Sequence, residues 1–301
     1  MNDAASKPVL CFGEFLWDAL PHGLFPGGAP VNVAYHLTQL GVPAIPVTAV
    51  GQDFLGDESL RHFRRCGLDT RFAARLRDKP TGAVRVDLDE LGSPSYEFLE
   101  DVAWDWIPVG PDLEAVASES AGLVYGTLAQ RSDHNLAQLE GLMRTSGEAL
   151  KIYDVNLRPP YDPADLVWHL TAKADVIKLN EAELSRLLGR APGNEDLHAS
   201  AQAFAQKTGC ELICVTAGAR GAGLLKDGNW FWSEGRPIRV KDTVGAGDSF
   251  LASLVEGLLR GEPRPQRMLD RACRLAEFVA GRDGATPRYR VSGDTGFEAV
   301  G

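Results

Sequence analysis

Residues Lys241–Leu254 read KDTVGAGDSFLASL, a run of small residues that leads directly into an amphipathic segment. From Phe250 to Leu259 the apolar residues recur at helical spacing, which predicts a helix packed on one face. A helix N-terminus carries unpaired backbone N–H groups and a partial positive charge, and small residues let a ligand approach the backbone. The turn formed by Gly245, Ala246 and Gly247 is therefore predicted to bind an anion.

Asp248 follows this turn, within reach of whatever binds there. One interpretation is structural, because glycine-rich turns are common before helices and an aspartate there often accepts a hydrogen bond from a backbone N–H. The other is functional, because a carboxylate beside an anion site is favoured only where it handles a proton or a cation. The junction alone leaves both open, whereas the full stretch DTVGAGDSF is far more specific than its glycines.

A second small-residue turn occurs near the N-terminus, in PGGAPVNVAYHLTQLG from Pro26. Gly28 permits close backbone approach, and the Asn32 amide can both donate to and accept from hydroxyl groups. Alone, GGAP could be a structural turn. Asp18, in GEFLWD after the first predicted strand, adds a carboxylate that would face the same cleft at the strand ends. Together these residues suit a polyhydroxylated ligand.

Short apolar runs rich in β-formers alternate with longer amphipathic stretches along most of the chain. This alternation predicts an α/β fold with a mostly parallel central sheet covered by helices on both faces. The predicted strands are PVLCFG from Pro8, AIPVTAVG from Ala44, GLVYG from Gly122, KIYDV from Lys151, DVIKL from Asp175 and ELICV from Glu211. Predicted helices cover Asn32–Leu40, His134–Met143 and Phe250–Leu259.

Two segments break this alternation, residues 14–26 and 81–105. Within the second, two strand-like runs flank a turn at Glu90–Pro94, which indicates a β-hairpin. We expect both segments to form a small β-sheet beside the main sheet that acts as a lid over a cleft. The tail after Val291 is expected to be poorly ordered.

Composition excludes several classes of function. The 301 residues are 44% hydrophobic, and their formal net charge of −10 leaves no excess of Lys and Arg to hold nucleic acid or an anionic membrane. No stretch has the length of a membrane span or the pattern of a signal peptide, so a cytoplasmic protein is expected. Neither a G-x-x-x-x-G-K-[ST] loop nor a Rossmann G-x-G-x-x-G motif is present.

The two glycine-containing turns resemble the two signature regions of the PfkB family of carbohydrate kinases. The resemblance extends in order along nearly the whole chain. Its further motifs are GEFLWD from Gly13, VGQDFLGD from Val50, YDVNLR from Tyr153, KLNEAEL from Lys178, VTAGARGAG from Val215 and DGATP from Asp283.

The resemblance implies a single ribokinase-like α/β domain over residues 1–301, with the lid inserted in it. It implies an ATP-dependent sugar kinase that transfers the γ-phosphate of Mg·ATP to a primary hydroxyl. The GE, GGAP-x-N and D-x-N-x-R motifs are most similar to fructokinases, so D-fructose converted to fructose 6-phosphate is the first expectation. Alternatives are another sugar or sugar acid, such as ribose or 2-keto-3-deoxygluconate, and a catalytically silent sugar-binding protein. A homodimer through the lid edges is a further possibility.

For the acceptor side, the resemblance implies sugar contacts from Asp18, Gly28 and Asn32. Glu14 is an alternative to Asp18 as the substrate carboxylate, and Asp18 fits the family spacing better. Arg158 is implied at the phosphoryl group or the sugar, where a guanidinium forks onto anionic oxygens, although a surface salt bridge is its plainer alternative. Asp248 is implied as the general base.

For the nucleotide side, the resemblance implies that Thr216, Gly218 and Gly221 contact ATP together with Gly245 and Gly247. Asn180 and Glu183, three residues apart, are implied to orient water around Mg²⁺. Asp242 and the carbonyl group of Val244 resemble half of a monovalent-cation site, suited to K⁺. Relatives often have threonine at position 244, so a hydroxyl contribution is lost here while a carbonyl ligand is retained.

Overall fold

The computed structural model describes residues 3–20, 23–88, 94–191, 196–293 and 295–300. Strands and helices alternate through most of this length. The strands are β1 Val9–Phe12, β2 Leu16–Leu20, β3 Gly23–Gly27, β4 Ala44–Gly51, β5 Ala73–Leu76, β6 Ala83–Leu88, β7 Pro94–Phe98, β8 Gly122–Gly126, β9 Leu150–Asp154, β10 Val176–Asn180, β11 Leu212–Thr216, β12 Gly221–Lys226, β13 Asn229–Glu234, β14 Tyr289–Ser292 and β15 Gly296–Ala299.

The helices alternate with these strands along the chain. They are α1 Ala29–Gln39, α2 Phe54–Arg65, α3 Pro111–Ser118, α4 Asp133–Thr145, α5 Ala164–Thr171, α6 Glu181–Leu187, α7 Leu197–Thr208, α8 Ala246–Leu259 and α9 Pro265–Ala280. Helix α1 begins before the predicted Asn32, because Pro30 in the first turn has no N–H to satisfy and fits the start of a helix. In the part of the chain that is described, none of the helices is long and apolar enough to span a bilayer.

The central sheet has the strand order β5-β4-β1-β8-β9-β10-β11-β12-β13. Neighbours from β5 to β11 are all parallel, and β12 and β13 add an antiparallel edge. The chain order reverses on either side of β1, which lies between β4 and β8. In such sheets, ligands bind in the crevice outside the carboxyl ends of the strands at the reversal point.

Side chains of the buried strands alternate between two apolar cores. Leu10 and Phe12 of β1 join the core that holds residues of α4, α5 and α7, whereas Val9 and Cys11 join the core that holds residues of α1, α8 and α9. This alternation follows from the two-residue period of a strand. The predicted parallel sheet with helices on both faces is therefore confirmed.

A second, four-stranded sheet has the order β3-β2-β6-β7, with β2 and β6 parallel and the outer pairs antiparallel. Leu16, Val84 and Phe98 from this sheet share a small apolar cluster with Trp104 and Leu128. The small sheet of the predicted fold is confirmed, and its action as a lid stays a prediction. Apart from Pro94, the predicted turn at Glu90–Pro94 lies outside the described residues.

Asp53 joins this small sheet to the main one. Its carboxylate caps α2 by accepting from Gly56 N at 2.8 Å, and it also accepts from Thr81 N at 2.7 Å and Thr81 Oγ1 at 2.6 Å. These bonds lower the pKa of Asp53 against the opposing effect of burial. One carboxylate thus ties the start of α2 to Thr81, two residues before β6.

The expectation of a poorly ordered tail was wrong, because β14 and β15 form an antiparallel hairpin in which Val291 pairs with Phe297. Tyr289 is buried, and its ring lies 5.6 Å from the rings of both Phe278 and Phe297. Two aromatic side chains in a short polar segment are enough to hold it against α9. Their large apolar area outweighs the unfavourable composition of the intervening turn.

Candidate active site

The candidate site lies at the carboxyl ends of β1, β9 and β10, where α8 begins. Asp154 is the last residue of β9, Lys178 is within β10, and Glu14 follows β1. Asn32 Nδ2, in the first turn of α1, donates to Asp248 Oδ2 at 2.8 Å across 216 residues of sequence. The two motifs singled out in the sequence therefore meet side by side.

Gly245 is the N-cap of α8 and has a φ of 76°, in the left-handed region that favours glycine. A Cβ atom at this position would lie 2.6 Å from the Cα atom of Ala285. A side chain is therefore disfavoured both by the backbone conformation and by the overlap with Ala285. The next N–H, of Ala246, donates weakly to the carbonyl oxygen of Thr243 at 3.3 Å. The predicted turn before a helix is present, with Gly247 in the first turn of α8.

Asp248 lies in the first turn of α8 rather than at its cap, which is Gly245 and makes no side-chain capping bond. Burial raises the pKa of Asp248 to about 6, and nearby Asp154 adds to the increase. Lys178, the Asn32 amide and Arg158 act in the opposite direction. A carboxyl group with such a pKa can both take and release a proton near neutral pH.

Asp18 lies on β2 of the small sheet, directly against the backbone of the GGAP turn. A Cβ atom on Gly27 would be 2.6 Å from Asp18 Oδ2, and one on Gly28 would be 2.4 Å from the carbonyl oxygen of Glu14. Gly28 has a φ of 120° and serves as the N-cap of α1. Burial raises the pKa of Asp18 to about 6, with Arg158 lowering it and Asp242 raising it further.

Arg158 follows β9, is half-buried, and donates through Nη1 to the carbonyl oxygen of Leu157 at 2.9 Å. Its positive charge lowers the pKa values of Glu14, Asp18 and Asp248. The guanidinium group therefore lies near the carboxyl groups of both the small sheet and α8. This location differs from that of an isolated surface salt-bridge partner.

Asn180 and Glu183 form a capping box at the start of α6. Asn180 Oδ1 accepts from Glu183 N at 2.9 Å, and Glu183 Oε2 accepts from Asn180 N at 2.7 Å. Glu183 Oε1 accepts from Leu157 N at 2.9 Å. Both oxygens of this buried carboxylate already accept backbone bonds, so it fits contact with a hydrated Mg²⁺ through water better than direct ligation.

Asp242 connects two loops beside the turn. Its Oδ1 atom accepts from Val244 N at 2.9 Å, and its Oδ2 atom accepts from Gly284 N at 3.2 Å. The segment around Asp283–Pro287 thus packs against the Gly245 turn. Carbonyl and carboxylate oxygens in this region are the donor type that K⁺ requires, and the Val244 side chain itself is exposed.

A cavity of about 620 Å³ opens on the other side of the turn. Thr216, Gly218 and Gly221 line it together with Ala246 and Gly247, whereas Gly245 and Asn180 are not part of its lining. Its apolar walls were not identified from the sequence. They include Ile238, Val240, Phe250, Ala276 and Ala280.

Sequence reasoning also missed Asp154, Lys178 and the buried state of Glu14. Lys178 Nζ lies 2.9 and 3.1 Å from the two carboxylate oxygens of Asp154, and both side chains are buried. Burial raises the pKa of Glu14 to about 7, and its Oε2 atom has no hydrogen-bond partner. A signal was present, because a lysine and an aspartate in the otherwise apolar runs DVIKL and KIYDV are rarely buried without a role.

The chain matches a family model described as pfkB family carbohydrate kinase over residues 22–290. A fructokinase of Klebsiella pneumoniae is 29% identical over 264 residues, covering 83% of this chain and 84% of that protein.

Two solved structures have similar folds. A fructokinase from Xylella fastidiosa with bound ATP has a TM-score of 0.79 at 24% identity, covering 93% of this chain and 94% of that chain. A 2-dehydro-3-deoxygluconokinase from Thermotoga maritima has a TM-score of 0.80 at 21% identity, covering 93% and 95%. At these identities, the two structures establish the ribokinase-like fold.

Proposed function

The chain belongs to the pfkB family of carbohydrate kinases, and from this premise we propose that it transfers the γ-phosphoryl group of ATP to a primary sugar hydroxyl, with Asp248 as general base. The observation that carries the proposal is the position of Asp248. It lies beside Gly247, which lines the 620 Å³ cavity, and is bonded to Asn32 of the GGAP segment. A base between a nucleotide cavity and a hydroxyl-binding wall is what direct transfer requires.

In the proposed reaction, the sugar oxygen attacks the γ-phosphorus, its proton passes to Asp248, and ADP leaves. The backbone N–H groups of the Gly245–Gly247 turn and the Arg158 guanidinium stabilise the negative charge of the transferring group. Asp18, Gly28 and Asn32 hold the sugar. Mg²⁺, when bound, would neutralise phosphate charge, with Asn180 and Glu183 positioning its water ligands.

We propose that the large cavity holds ATP, with Thr216, Gly218 and Gly221 at the phosphates and ribose. The bound ATP of the Xylella fastidiosa fructokinase supports this assignment. The apolar surfaces of Ile238, Val240 and Phe250 suit an adenine ring. We also propose a K⁺ site at Asp242 and the Val244 carbonyl group, which would order the loop before α8.

D-Fructose is the proposed acceptor, giving fructose 6-phosphate, because the Klebsiella pneumoniae relative is a fructokinase. The Thermotoga maritima neighbour supports the alternative of a sugar acid such as 2-keto-3-deoxygluconate. An acid acceptor would ask for a cationic group in the small sheet. Arg85 is the candidate there, and it lies 3.7 Å from Glu97 in an exposed ion pair.

A coupled ADP-release assay with Mg·ATP tests the proposal, using fructose, ribose, tagatose, glucose, 2-keto-3-deoxygluconate and a nucleoside, with and without K⁺. Turnover on fructose alone supports both chemistry and substrate. Turnover on another sugar keeps the mechanism and replaces fructose. If calorimetry detects sugar binding while no product forms, the chain is a catalytically silent sugar-binding protein.

The small sheet is the proposed lid and dimer surface. Leu24 and Phe25 on the edge strand β3 expose apolar side chains, with 51% and 40% of their surface accessible. An exposed edge strand can pair with a second copy of the chain. Sedimentation of the wild type and of Leu24→Ser tests this, because a monomer in both contradicts the dimer.

A kinase that uses ATP acts where ATP is available, and we propose the cytoplasm.

A further inference from the structure

A buried ion pair lies beneath the turn that begins α8. Lys178 Nζ donates to Asp154 Oδ1 at 2.9 Å and to Oδ2 at 3.1 Å. The two side chains are 9% and 4% exposed, which is rare for charged groups. The two residues lie on the adjacent parallel strands β9 and β10. They come together because the register of these strands pairs Lys178 directly with Asp154.

The ammonium group of this pair reaches the anion-binding turn itself. A Cβ atom built on Gly247 would lie 3.0 Å from Lys178 Nζ, so the ammonium group lies close against this glycine and would have to shift to admit a side chain there. The N-terminus of α8 already carries a partial positive charge. A full positive charge directly below it increases the attraction for an anion above the turn.

The charges around Lys178 and Asp248 interact with one another. Burial lowers the pKa of Lys178, and the Asp154, Glu183 and Asp248 carboxylates together outweigh this effect, so its pKa is raised and it stays protonated. Lys178 in turn lowers the pKa of the buried Cys214 thiol on the neighbouring strand β11 against the larger effect of burial.

Asp248 is surrounded by charged and polar groups from five parts of the fold. These are Asn32 on α1, Glu14 after β1, Asp154 on β9, Arg158 in the loop after β9 and Lys178 on β10.

We propose that Lys178, held by Asp154, is a positioning residue of phosphoryl transfer whose buried charge keeps Asp248 ionised and favours an anionic group on the Gly245–Gly247 turn. The inference rests on the proposed function and adds a residue to its machinery. A purely structural ion pair would need neither the contact with Gly247 nor the location beside the base. Both features are explained if the positive charge serves the reaction.

Three variants separate these roles. Lys178→Met removes the positive charge and nearly keeps the side-chain length, Asp154→Asn removes the negative charge and keeps the shape, and K178M/D154N removes both. Lys178→Met leaves the repulsion between Asp154 and Asp248 uncompensated, whereas Asp154→Asn removes that repulsion. The proposal therefore expects opposite effects of the two single variants on the ionisation of Asp248.

The first measurement is the pH dependence of kcat/KM for the sugar, which reports groups of the free enzyme. In Lys178→Met the acid limb should move up by about one pH unit and kcat should fall about a hundredfold. In Asp154→Asn the limb should move down by about one pH unit. In K178M/D154N the limb should return close to the wild-type position while kcat stays low.

The matched control is Lys173→Met, which removes a lysine that pairs with Glu140 at the protein surface. It should leave kcat and the acid limb unchanged. Melting temperatures of all variants identify any loss of folding. If Lys178→Met does not fold because Asp154 is left unpaired, K178M/D154N and Asp154→Asn still test the inference.

A second measurement does not depend on activity. The carboxyl ¹³C resonance of Asp248, assigned by its loss in Asp248→Asn, should titrate higher in Lys178→Met and lower in Asp154→Asn. Unchanged titration together with an unchanged acid limb overturns the inference. If the wild type phosphorylates no sugar, the proposed function fails instead, and the titration alone decides whether Lys178 controls the ionisation of Asp248.

Discussion

At the scale of single residues, the site depends on one half-buried carboxyl group that lies next to both a cation and another carboxylate. Asp248 accepts a bond from Asn32 and has a pKa of about 6. A buried carboxyl group with this pKa is ionised at neutral pH and is a stronger base than an exposed aspartate. The same burial that would prepare it for the proposed proton transfer also makes its ionised form costly to keep in the folded protein.

The first prediction concerns turnover. Asp248→Asn keeps the shape and the bond to Asn32 but cannot accept the proton, so kcat should fall by about 10² to 10⁴. ATP affinity, measured by calorimetry, should change little, because Asp248 is not among the residues that line the cavity proposed for the nucleotide. Near-normal turnover in this variant would remove Asp248 from the role of base.

The second prediction concerns stability and has a defined sign. Well below the ordinary pKa of 3.8 the carboxyl group is protonated in both the folded and unfolded states, whereas above about pH 6 the folded state must hold its charge partly buried. The wild type therefore loses stability as the pH rises through this window, by an amount on the order of 2–3 kcal/mol. Asp248→Asn has no such loss.

Melting curves between pH 4.5 and pH 7.5 check this. The melting temperature of Asp248→Asn minus that of the wild type should increase with pH and level off above pH 6. Subtraction cancels the contribution of Asp18, on which Asp248 has no resolved effect, whereas the charge of Asp248 raises the pKa of Glu14, so the difference reports Asp248 together with this coupling. A difference that is independent of pH would show that Asp248 titrates with an ordinary pKa.

At the scale of elements, the start of α8 combines a required backbone conformation with close packing. Gly245 and Gly228 have nearly the same φ, 76° and 77°. A Cβ atom at Gly245 would meet the backbone of Ala285 at 2.6 Å, whereas at Gly228 it would meet nothing within 4 Å. Comparing substitutions at Gly245 and Gly228 therefore separates the cost of backbone strain from the cost of steric overlap.

The third prediction uses this pair. Gly228→Ala should lower the free energy of unfolding by about 1 kcal/mol, the cost of a positive φ for alanine. Gly245→Ala should cost clearly more, because the Ala285 segment must also move, and kcat should fall with it. Urea denaturation compares the two variants, and equal losses in stability would mean that the Ala285 contact is not close in solution.

At the scale of the whole molecule, two sheets meet across the candidate site. Asp18 belongs to the small sheet, and Asp248 belongs to the helix layer of the large one, while Arg158 influences the pKa values of both. Movement of the small sheet relative to the large one would open or close the sugar side of the site. In a kinase, closure matters because water competes with the sugar as the acceptor.

The fourth prediction follows from this arrangement. Replacing residues 83–98 with a short glycine linker should raise the ratio of ATP hydrolysis to sugar phosphorylation, because water then reaches the γ-phosphorus. Product analysis with and without sugar measures this ratio, and the melting temperature verifies that the large sheet remains folded. If sugar phosphorylation stays as fast as in the wild type, the small sheet is not a lid for this reaction.

The sequence by itself determined the local elements and their order. Alternating strands and helices and the Gly245–Gly247 turn follow from periodicity and from short-range backbone requirements, whereas the roles expected of Asp18, Asn32 and Asn180 depended on the resemblance to the family. The parallel sheet with helices on both faces follows from that alternation. The tail hairpin was missed, because its anchoring on α9 by Tyr289 and Phe297 depends on a distant element.

Only the tertiary structure decided which charges share the site. Asn32 and Asp248 meet across 216 residues, and Lys178 and Asp154 meet through strand register rather than through a motif. Likewise, the pKa of Asp248 depends on burial and on neighbours contributed by separate elements. Electrostatic energy depends on distance and on exclusion of water, and neither quantity is encoded in the separation of residues along the chain.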